Sequence, residues 1–208
     1  LADVDQMAPH CVKGARALIV GGGYIGLEAA AVASKLGLHV TLIEAAPRIL
    51  QRVAAPETST YFRRLHSDHG VTIIEGTGLD RLLGDKTVTG ARLADGREIA
   101  ADVVIVGIGI SANTELAEAA GLAIENGIRT DAQGRTSDPA IWSAGDCASF
   151  PHLGGCIRLE SVGNAIDQAE TVAENILGAG KPYEARPWFW SDQYDCKLQI
   201  AGLNTGYD

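Results

Sequence analysis

Several kinds of segment are absent from this sequence of 208 residues or scarce in it. No apolar run approaches the roughly 20 residues that a membrane-spanning helix needs, and the opening LADVDQMAPH lacks the basic and apolar zones of a secretory signal. Lys and Arg form no cluster, and the formal net charge is −9. We therefore expect a soluble, cytoplasmic, globular protein. Neither nucleic acid nor a membrane is expected as a partner, because no basic patch is available to neutralise phosphates.

Cysteine and histidine are also sparse. The four cysteines show no CxxC spacing and are too few to staple a chain of this length, which indicates reduced thiols. His66 and His69 form an i, i+3 pair just before Gly70, a pattern typical of the solvated end of a helix. The sequence therefore predicts no metal site.

Apolar runs and helical periodicity alternate over the first half of the chain. The predicted strands are residues 15–20, 39–43, 71–74 and 102–106, and the predicted helices begin at residues 24 and 56. Turn signals at Gly84-Asp85 and Asp95-Gly96 divide residues 78–100 into short alternating segments. This pattern predicts an α/β fold, with a Rossmann-like domain that combines a central parallel sheet and an antiparallel meander.

The second half of the chain has shorter elements. Residues 128–131 (IRTD) and 141–146 (IWSAGD) are predicted as strands, and a long amphipathic helix is predicted over residues 161–177. An aromatic cluster then precedes one predicted strand at residues 197–201.

A glycine fingerprint, Gly21-x-Gly23-x-x-Gly26, lies between the first strand and the first helix. Gly21 permits the tight turn, Gly23 lets the backbone approach a pyrophosphate, and Gly26 lets the helix pack against the strands. The helix N-terminus offers free N–H groups and about half a positive charge to phosphates. The stretch therefore predicts a dinucleotide site.

Glu44 ends the second strand, 18 positions after Gly26, and discriminates between the two nicotinamide cofactors. A carboxylate accepts hydrogen bonds from a ribose 2′-OH and repels a 2′-phosphate, so NAD(H) is expected. The alternatives are NADP(H), with Arg48 reaching the 2′-phosphate, and FAD, which the fingerprint alone would equally fit.

A second candidate site begins at Asp146, at the end of TSDPAIWSAGD (136–146). A carboxylate at the C-terminal end of a strand can hydrogen-bond a sugar or ribitol hydroxyl. The alternative is an Asp that caps the next turn.

Five motifs together resemble one family. They are GGGYIGLE (21–28), VGIGISAN (106–113), TSDPAIWSAGD (136–146), RLESVGNA (158–165) and PWFWSDQ (187–193). The sequence resembles the FAD-dependent NADH:ferredoxin or rubredoxin reductases over essentially its whole length. These belong to the two-dinucleotide-domain flavoproteins that include glutathione reductase and apoptosis-inducing factor.

The resemblance implies a domain order. In that family the NAD domain is inserted into the FAD domain, whose own glycine fingerprint lies upstream, and none precedes Leu1. We therefore expect an internal piece: an NAD-binding domain at 1–113, the second part of an FAD-binding domain at 114–186, and the first strand of a C-terminal interface domain at 187–208. Such a piece is expected to bind FAD poorly and to be poorly active alone.

The resemblance also implies roles for individual residues. NADH would be held by Gly21, Gly22, Gly23, Tyr24, Ile25, Gly26 and Glu44. Gly109 would let the nicotinamide half pass close to the backbone. Asp146 resembles the ligand of the flavin ribitol or phosphate, and Val162 resembles the backbone contact to the flavin's pyrimidine end.

Four further side chains are implied at the junction of flavin and nicotinamide. Glu28 would accept a hydrogen bond from the nicotinamide carboxamide, the alternative being a structural ion pair. Glu160, Ser161 and Trp190 would border the junction, and simple aromatic packing is the alternative for Trp190.

The reaction implied is hydride transfer from NADH to FAD, followed by two single-electron steps to a ferredoxin- or rubredoxin-type carrier of an oxygenase or P450 system. The absence of CxxC from the NAD domain argues against a thioredoxin-reductase-like enzyme. Two alternatives remain. One is a related flavoenzyme with another acceptor, of the nitrite-reductase or peroxide-reducing type. The other is a signalling flavoprotein like apoptosis-inducing factor.

Overall fold

The computed structural model describes residues 2–204, so Leu1 and residues 205–208 of the predicted terminal domains lie outside it. The described helices are α1 (Ala2–Met7), α2 (Tyr24–Lys35), α3 (Pro56–Asp68), α4 (Glu115–Ala119) and α5 (Val162–Ile176). The strands of the first half are β1 (Arg16–Val20), β2 (His39–Glu44), β3 (Thr72–Glu75), β4 (Leu79–Leu83), β5 (Gly90–Leu93), β6 (Glu98–Ala100) and β7 (Val103–Val106). Those of the second half are β8 (Ile128–Arg129), β9 (Ala148–His152), β10 (Gly155–Ile157), β11 (Trp188–Gln193) and β12 (Cys196–Ala201).

The chain divides into two compact units. The first contains the described residues up to Gly109, together with Ser191–Leu198 and Asn204. The second contains Ile110–Trp190 and Gln199–Leu203.

A four-stranded parallel sheet in the order β3-β2-β1-β7 forms the centre of the first unit. Its most deeply buried side chains, Leu18, Ile19 and Leu42, expose none of their surface. Each such burial contributes about 1.5–3 kcal/mol of hydrophobic free energy. Helix α2 adds Leu27 and Ala30, which are also fully buried. The predicted α/β, Rossmann-like fold is confirmed.

The meander β4-β5-β6 is antiparallel, as the sequence predicts. Its buried residues Ala91 and Leu93 join Leu18 and Ile43 of the parallel sheet in one apolar cluster. Gly96 supplies the turn between β5 and β6 with a φ of 90°, a conformation that favours glycine. The two sheets therefore share part of one core.

The second unit differs from the sequence prediction in three elements. The strand predicted over residues 141–146 is wrong: Gly145–Cys147 is a 3-10 turn, and the strand follows as β9. Gly145 has a φ of 78°, which ends extended backbone at that point. Strand β10 pairs with β9, and α4 precedes β8; neither was predicted.

A hairpin of β11 and β12 occupies the segment for which the sequence suggested one strand. The β11 sequence WFWSDQ alternates, and its inward positions Ser191 and Gln193 are fully buried although polar. Tyr194 begins the turn with a φ of 58°.

The solvated position predicted for His66 is wrong. Its side chain is completely buried, and its Nε2 lies 2.8 Å from Gln193 Oε1. This partner lies 127 positions away along the chain, beyond the reach of a local pattern.

In the part of the chain that the structure describes, no helix has the length and apolar character needed to cross a bilayer.

Arg16 and Asp102 link the start of β1 to the residue before β7. The carboxylate accepts hydrogen bonds from the Arg16 guanidinium, with Nε at 3.0 Å, and from the Arg16 backbone N–H at 2.9 Å. Chiefly through the guanidinium, these contacts lower the pKa of Asp102 to about 2. The folded-state pKa thus lies below the unfolded value of about 3.9. The contribution to the free energy of unfolding is therefore present above about pH 4 and is lost as the pH falls toward 2.

We expect Asp102→Asn to lower the urea midpoint of unfolding slightly near neutral pH, since both side chains are partly exposed. The difference from the wild type should shrink between about pH 4 and about pH 2.5. Urea titrations of the two proteins across that range measure it. A difference that does not depend on pH would contradict the assignment.

Candidate functional site

Two glycines of the fingerprint are required by the packing of the chain itself. Gly21 has a φ of 106°, and a Cβ there would overlap the carbonyl oxygen of Gly107. A Cβ on Gly26 would overlap the carbonyl oxygen of Gly21. Helix α2 therefore approaches the end of β1 at a distance that only glycine permits.

The other two glycines differ from each other. A Cβ on Gly22 would lie 2.6 Å from Ile49 Cγ2, so this residue also fills a tight space. A Cβ on Gly23 would meet nothing within 4 Å, and the φ of −81° suits any residue. The fold alone therefore does not require glycine at position 23, which faces open space at the start of α2.

Glu44 is fixed beside the fingerprint by two backbone donors. Its Oε2 accepts from the Gly22 N–H at 2.6 Å, and its Oε1 accepts from the Ala46 N–H at 2.7 Å. The residue is only half-buried. Because each carboxylate oxygen has a second lone pair, a further donor from solvent or a ligand can still be accepted.

Arg48, the candidate for a 2′-phosphate, is engaged elsewhere. Its Nη1 donates to the Ala54 carbonyl at 2.8 Å and to Ser59 Oγ at 2.7 Å. Ser59 is fully buried and donates in turn to the Ile49 carbonyl at 2.6 Å. The guanidinium thus stabilises the loop after β2, which weighs against the NADP(H) alternative.

Tyr24 and Ile25 form the first turn of α2. Gly23 is the N-cap, and no side chain caps this end, so the first N–H groups remain available. Burial raises the pKa of the half-buried Tyr24 phenol to about 12. The Ile25 side chain is 64% exposed.

Gly109 follows β7 in a loop with exposed apolar side chains. It has a φ of 114°, and a Cβ there would meet no atom within 4 Å. Val106 and Ile108 are both more than half exposed. Gly109 is therefore required by backbone conformation, and the space above it is open.

Glu28 accepts a hydrogen bond from Ser191 Oγ at 2.6 Å. Within the described residues, no Lys or Arg pairs with Glu28, so the structural ion pair considered from the sequence is not what the structure contains. Ser191 itself accepts from Gln193 Nε2 at 2.9 Å. Ser191 and Gln193 both lie in the motif PWFWSDQ, and the alternation of that segment, with polar residues at buried positions, is the signal that could have indicated their role.

In the second unit, Asp146 lies in the 3-10 turn that precedes β9. Its side chain is exposed, whereas Gly145 is buried and donates its N–H to Gln168 Oε1 at 2.8 Å. Gln168 belongs to α5 and is itself 1% exposed. The turn is therefore fixed against α5, with the Asp146 carboxylate directed to the surface.

Arg158 connects the Asp146 turn to Glu160. Its Nη1 donates to the Asp146 carbonyl at 3.0 Å, and its Nη2 lies 2.7 Å from Glu160 Oε1. Only 8% of the Arg158 side chain is exposed, and its Nε is buried without a protein partner in the described chain. Arg158 opens the motif RLESVGNA, but nothing in that motif indicates its contacts with the Asp146 turn.

Ser161 is the N-cap of α5, and its hydroxyl accepts from the Asn164 N–H at 3.2 Å. Val162 is the first helical residue, and its N–H, like the other first N–H groups of a helix, has no intrahelical acceptor. Trp190 is 42% exposed and lies 5.1 Å from Trp188 between ring centroids. Aromatic packing thus accounts for part of its environment.

The structure groups the predicted residues by unit. In the first unit, the fingerprint, Glu44, Glu28 and Gly109 all belong to the carboxyl ends of the parallel strands, to α2 or to the loop after β7. In the second, Asp146, Glu160, Ser161 and Val162 lie at the start of α5 or in segments linked to it. Among the described residues, no His, Cys, Asp or Glu cluster is arranged to hold a metal ion.

Known relatives match both parts of the chain. The family model described as "Pyridine nucleotide-disulphide oxidoreductase" matches residues 1–169, and the model described as "Reductase C-terminal" matches residues 188–208. The ferredoxin reductase subunit of 5,5'-dehydrodivanillate O-demethylase from Sphingobium sp. is 48% identical, over 100% of this chain and 52% of the relative. Putidaredoxin reductase CamA from Pseudomonas putida is 44% identical, over 100% of this chain and 50% of the relative.

Two solved structures of ferredoxin reductases also match the chain along its whole length. The ferredoxin reductase for the CYP199A2 system from Rhodopseudomonas palustris has a TM-score of 0.92 at 44% identity, covering 100% of this chain and 51% of that one. The reductase in a covalent putidaredoxin reductase–putidaredoxin complex has a TM-score of 0.94 at 43% identity, covering 100% and 51%. The chain thus spans about half the length of the curated relatives it matches. Since the first family model covers residues 1–169, this chain belongs to the pyridine nucleotide-disulphide oxidoreductase family.

Proposed function

We propose that the protein is an NADH-dependent flavoprotein reductase that passes electrons through FAD to a ferredoxin- or rubredoxin-type carrier of an oxygenase or P450 system. The observation that carries this proposal is the open face at Gly23 beside Glu44, on a chain similar along its whole length to ferredoxin reductases. A cytoplasmic location stays a prediction from the sequence.

The fingerprint and Glu44 fit NAD(H) on steric and electrostatic grounds. A pyrophosphate has room at Gly23, where the uncapped start of α2 presents N–H groups and a partial positive charge. Glu44 has lone pairs left for a ribose hydroxyl and would repel a 2′-phosphate. Arg48, held by Ala54 and Ser59, offers no compensation for that repulsion.

The start of α5 fits the flavin. Asp146 offers an exposed carboxylate to hydroxyl donors such as those of a ribityl chain, and Val162 offers a helix N-terminal N–H to a carbonyl or anionic oxygen. Glu160 and Ser161 flank this end. When bound, FAD supplies the conversion of a two-electron donation into single-electron steps. The chain's own contribution is to fix the turn of Asp146 against α5 through Gln168.

The remaining assignments concern the nicotinamide half. We assign Glu28 as acceptor for the carboxamide, Gly109 as the point of close backbone approach, and Trp190 as a residue bordering the ring. We also propose that the domain boundaries lie between residues 113 and 114 and between residues 186 and 187.

The function is tested by steady-state oxidation of NADH by the purified protein with added FAD. A ferredoxin should be reduced at a rate that exceeds the rate with molecular oxygen, and ferricyanide should serve as a non-physiological acceptor. Preference for oxygen or peroxide would indicate the related flavoenzymes instead. Because this chain, which spans about half the length of its relatives, is expected to turn over slowly, the acceptors are compared by the ratio of their rates. Equal rates with ferredoxin and with oxygen would favour a signalling flavoprotein.

The proposed role of Gly23 predicts that a substitution there weakens NADH binding without lowering the thermal stability of the fold. Gly23→Ala should weaken NADH binding by about tenfold, because an extra methyl forced into a packed contact costs about 1–3 kcal/mol. Its thermal unfolding should remain close to that of the wild type, since the added Cβ meets no protein atom.

Gly26→Ala is the matched comparison for Gly23→Ala. Its Cβ would overlap the Gly21 carbonyl, so this variant should lose stability by about 1–3 kcal/mol despite the better helix propensity of alanine. Calorimetric titration with NADH and thermal melts measure both effects. Unchanged NADH affinity in Gly23→Ala would contradict a pyrophosphate at that position.

The role of Glu44 predicts a change in cofactor selectivity. Glu44→Ala should reduce the ratio of the NADPH and NADH dissociation constants by about tenfold, because hydrogen bonds to a charged acceptor contribute about 1.5–3 kcal/mol. Glu75→Ala is the control: this neighbour at the same sheet edge accepts from the Ile49 N–H and pairs with Arg63. Equal changes in the two variants would remove the assigned role from Glu44.

A further inference from the structure

Four side chains of the first unit form a continuous hydrogen-bonded series, which we call the Glu28 relay. It runs from Glu28 to Ser191 Oγ (2.6 Å), from Ser191 Oγ to Gln193 Nε2 (2.9 Å), and from Gln193 Oε1 to His66 Nε2 (2.8 Å). Tyr194 OH lies 3.3 Å from His66 Nδ1. The series thus connects α3, through the hairpin, to the helix that follows the glycine fingerprint.

The three members beyond Glu28 are completely buried. Ser191, Gln193 and His66 each expose none of their surface, while Glu28 is half-buried at the open end. Polar groups in such positions contribute little net stability compared with apolar side chains of similar volume, and each is costly if left unpaired. Stability alone therefore does not explain polar residues at the two fully buried positions of β11.

The direction of every hydrogen bond follows from Glu28. A carboxylate only accepts, so the single Ser191 proton is directed to it. The Ser191 oxygen must then accept from the Gln193 amide nitrogen, which orients the Gln193 oxygen toward His66. His66 must therefore carry a proton on Nε2. Its Nδ1 is left as the acceptor for Tyr194 when the ring is neutral, and burial, which lowers the pKa of His66, favours the neutral ring.

The surroundings of His66 fix the other end of the relay. Tyr194 packs edge-on against the His66 ring, and His69 stacks on Tyr194 with ring centroids 3.7 Å apart. Lys35 Nζ donates to the Tyr194 carbonyl at 3.0 Å. Because the Glu28 relay is fixed at both of its ends, the Ser191 hydroxyl has one favourable orientation. One oxygen of the Glu28 carboxylate is therefore held in place.

We propose that Ser191 and Gln193 are positioning residues that orient the Glu28 carboxylate toward the nicotinamide end of the dinucleotide. This inference rests on the proposed function, because it needs NADH in the fingerprint site and its nicotinamide near Glu28. Ser191 occupies Oε1 of Glu28 and leaves Oε2 to accept from a carboxamide N–H. The hairpin thereby contributes to binding one half of the ligand without touching it.

The test compares two ligands of the purified full chain: NADH and ADP-ribose, which lacks the nicotinamide. Ser191→Ala should weaken NADH binding by about three- to tenfold, because the hydrogen bond that orients the Glu28 carboxylate is lost. ADP-ribose binding should be unchanged, because Glu28 is proposed to face only the nicotinamide end. Gln193→Leu keeps similar volume in an apolar form and should show a smaller loss for NADH alone. Asp192→Asn, exposed between them on β11, is the matched control and should bind both ligands as the wild type does.

A double-mutant cycle distinguishes positioning from general damage. If Ser191 acts through Glu28, Ser191→Ala should cause no further loss of NADH affinity in a Glu28→Ala background. A loss that persists in that background, or one that extends to ADP-ribose, would overturn the proposal, as would unchanged NADH affinity in Ser191→Ala. Wild-type protein that binds neither ligand would instead refute the proposed NADH site. Failure of the positioning role and failure of the proposed NADH site therefore give different results.

Discussion

The close approach of helix α2 to the end of strand β1 is the constraint on which the first unit depends. The contact is made by Gly26 against the Gly21 carbonyl, and Gly21 in turn lies against Gly107 after β7. These contacts bring two strand ends and a helix N-terminus together at one edge of the sheet. The position of that N-terminus, and hence the position of its partial positive charge, follows from contacts at Gly21 and Gly26 that leave no room for a side chain.

The polar groups at this edge are organised by the same packing. Glu44 is held by the Gly22 N–H, which is available because the turn leaves it without a backbone acceptor, and Glu75 supports Ile49 beside it. Such fixed acceptors need little reorganisation when a ligand arrives, which lowers the entropic cost of binding. At Gly23, by contrast, the chain keeps a small residue that its own packing does not require. That contrast separates the glycines that folding requires from one that the fold does not require, and it is the basis for proposing a pyrophosphate at Gly23.

Much of the first unit could be predicted from the sequence because its signals are local. Apolar runs, helical periodicity and the glycine turn each lie within a few residues, and they determine the β1-α2-β2 order and the meander. The turn at Gly145 was missed because apolar residues before it resemble a strand, while the positive φ that interrupts it is visible only in the structure. His66 was placed in solvent because its partners, Gln193 and Tyr194, lie far along the chain. The candidate binding residues were identified by motif. Ser191, Gln193 and Arg158 also lie within the quoted motifs, but their contacts with Glu28, His66 and the Asp146 turn are visible only in the structure.

The alternation of polar side chains along β11 also determines how the hairpin can pair. Sliding that strand by one residue would turn Ser191 and Gln193 outward and bring the Asp192 carboxylate into the closed interior near Glu28. Burying a second negative charge beside the first, where no Lys or Arg of the described chain pairs with Glu28, is strongly unfavourable. Misaligned hairpins are thus disfavoured by electrostatic repulsion, so the charge at Asp192, between the two buried polar residues, helps to keep the strand in its correct alignment.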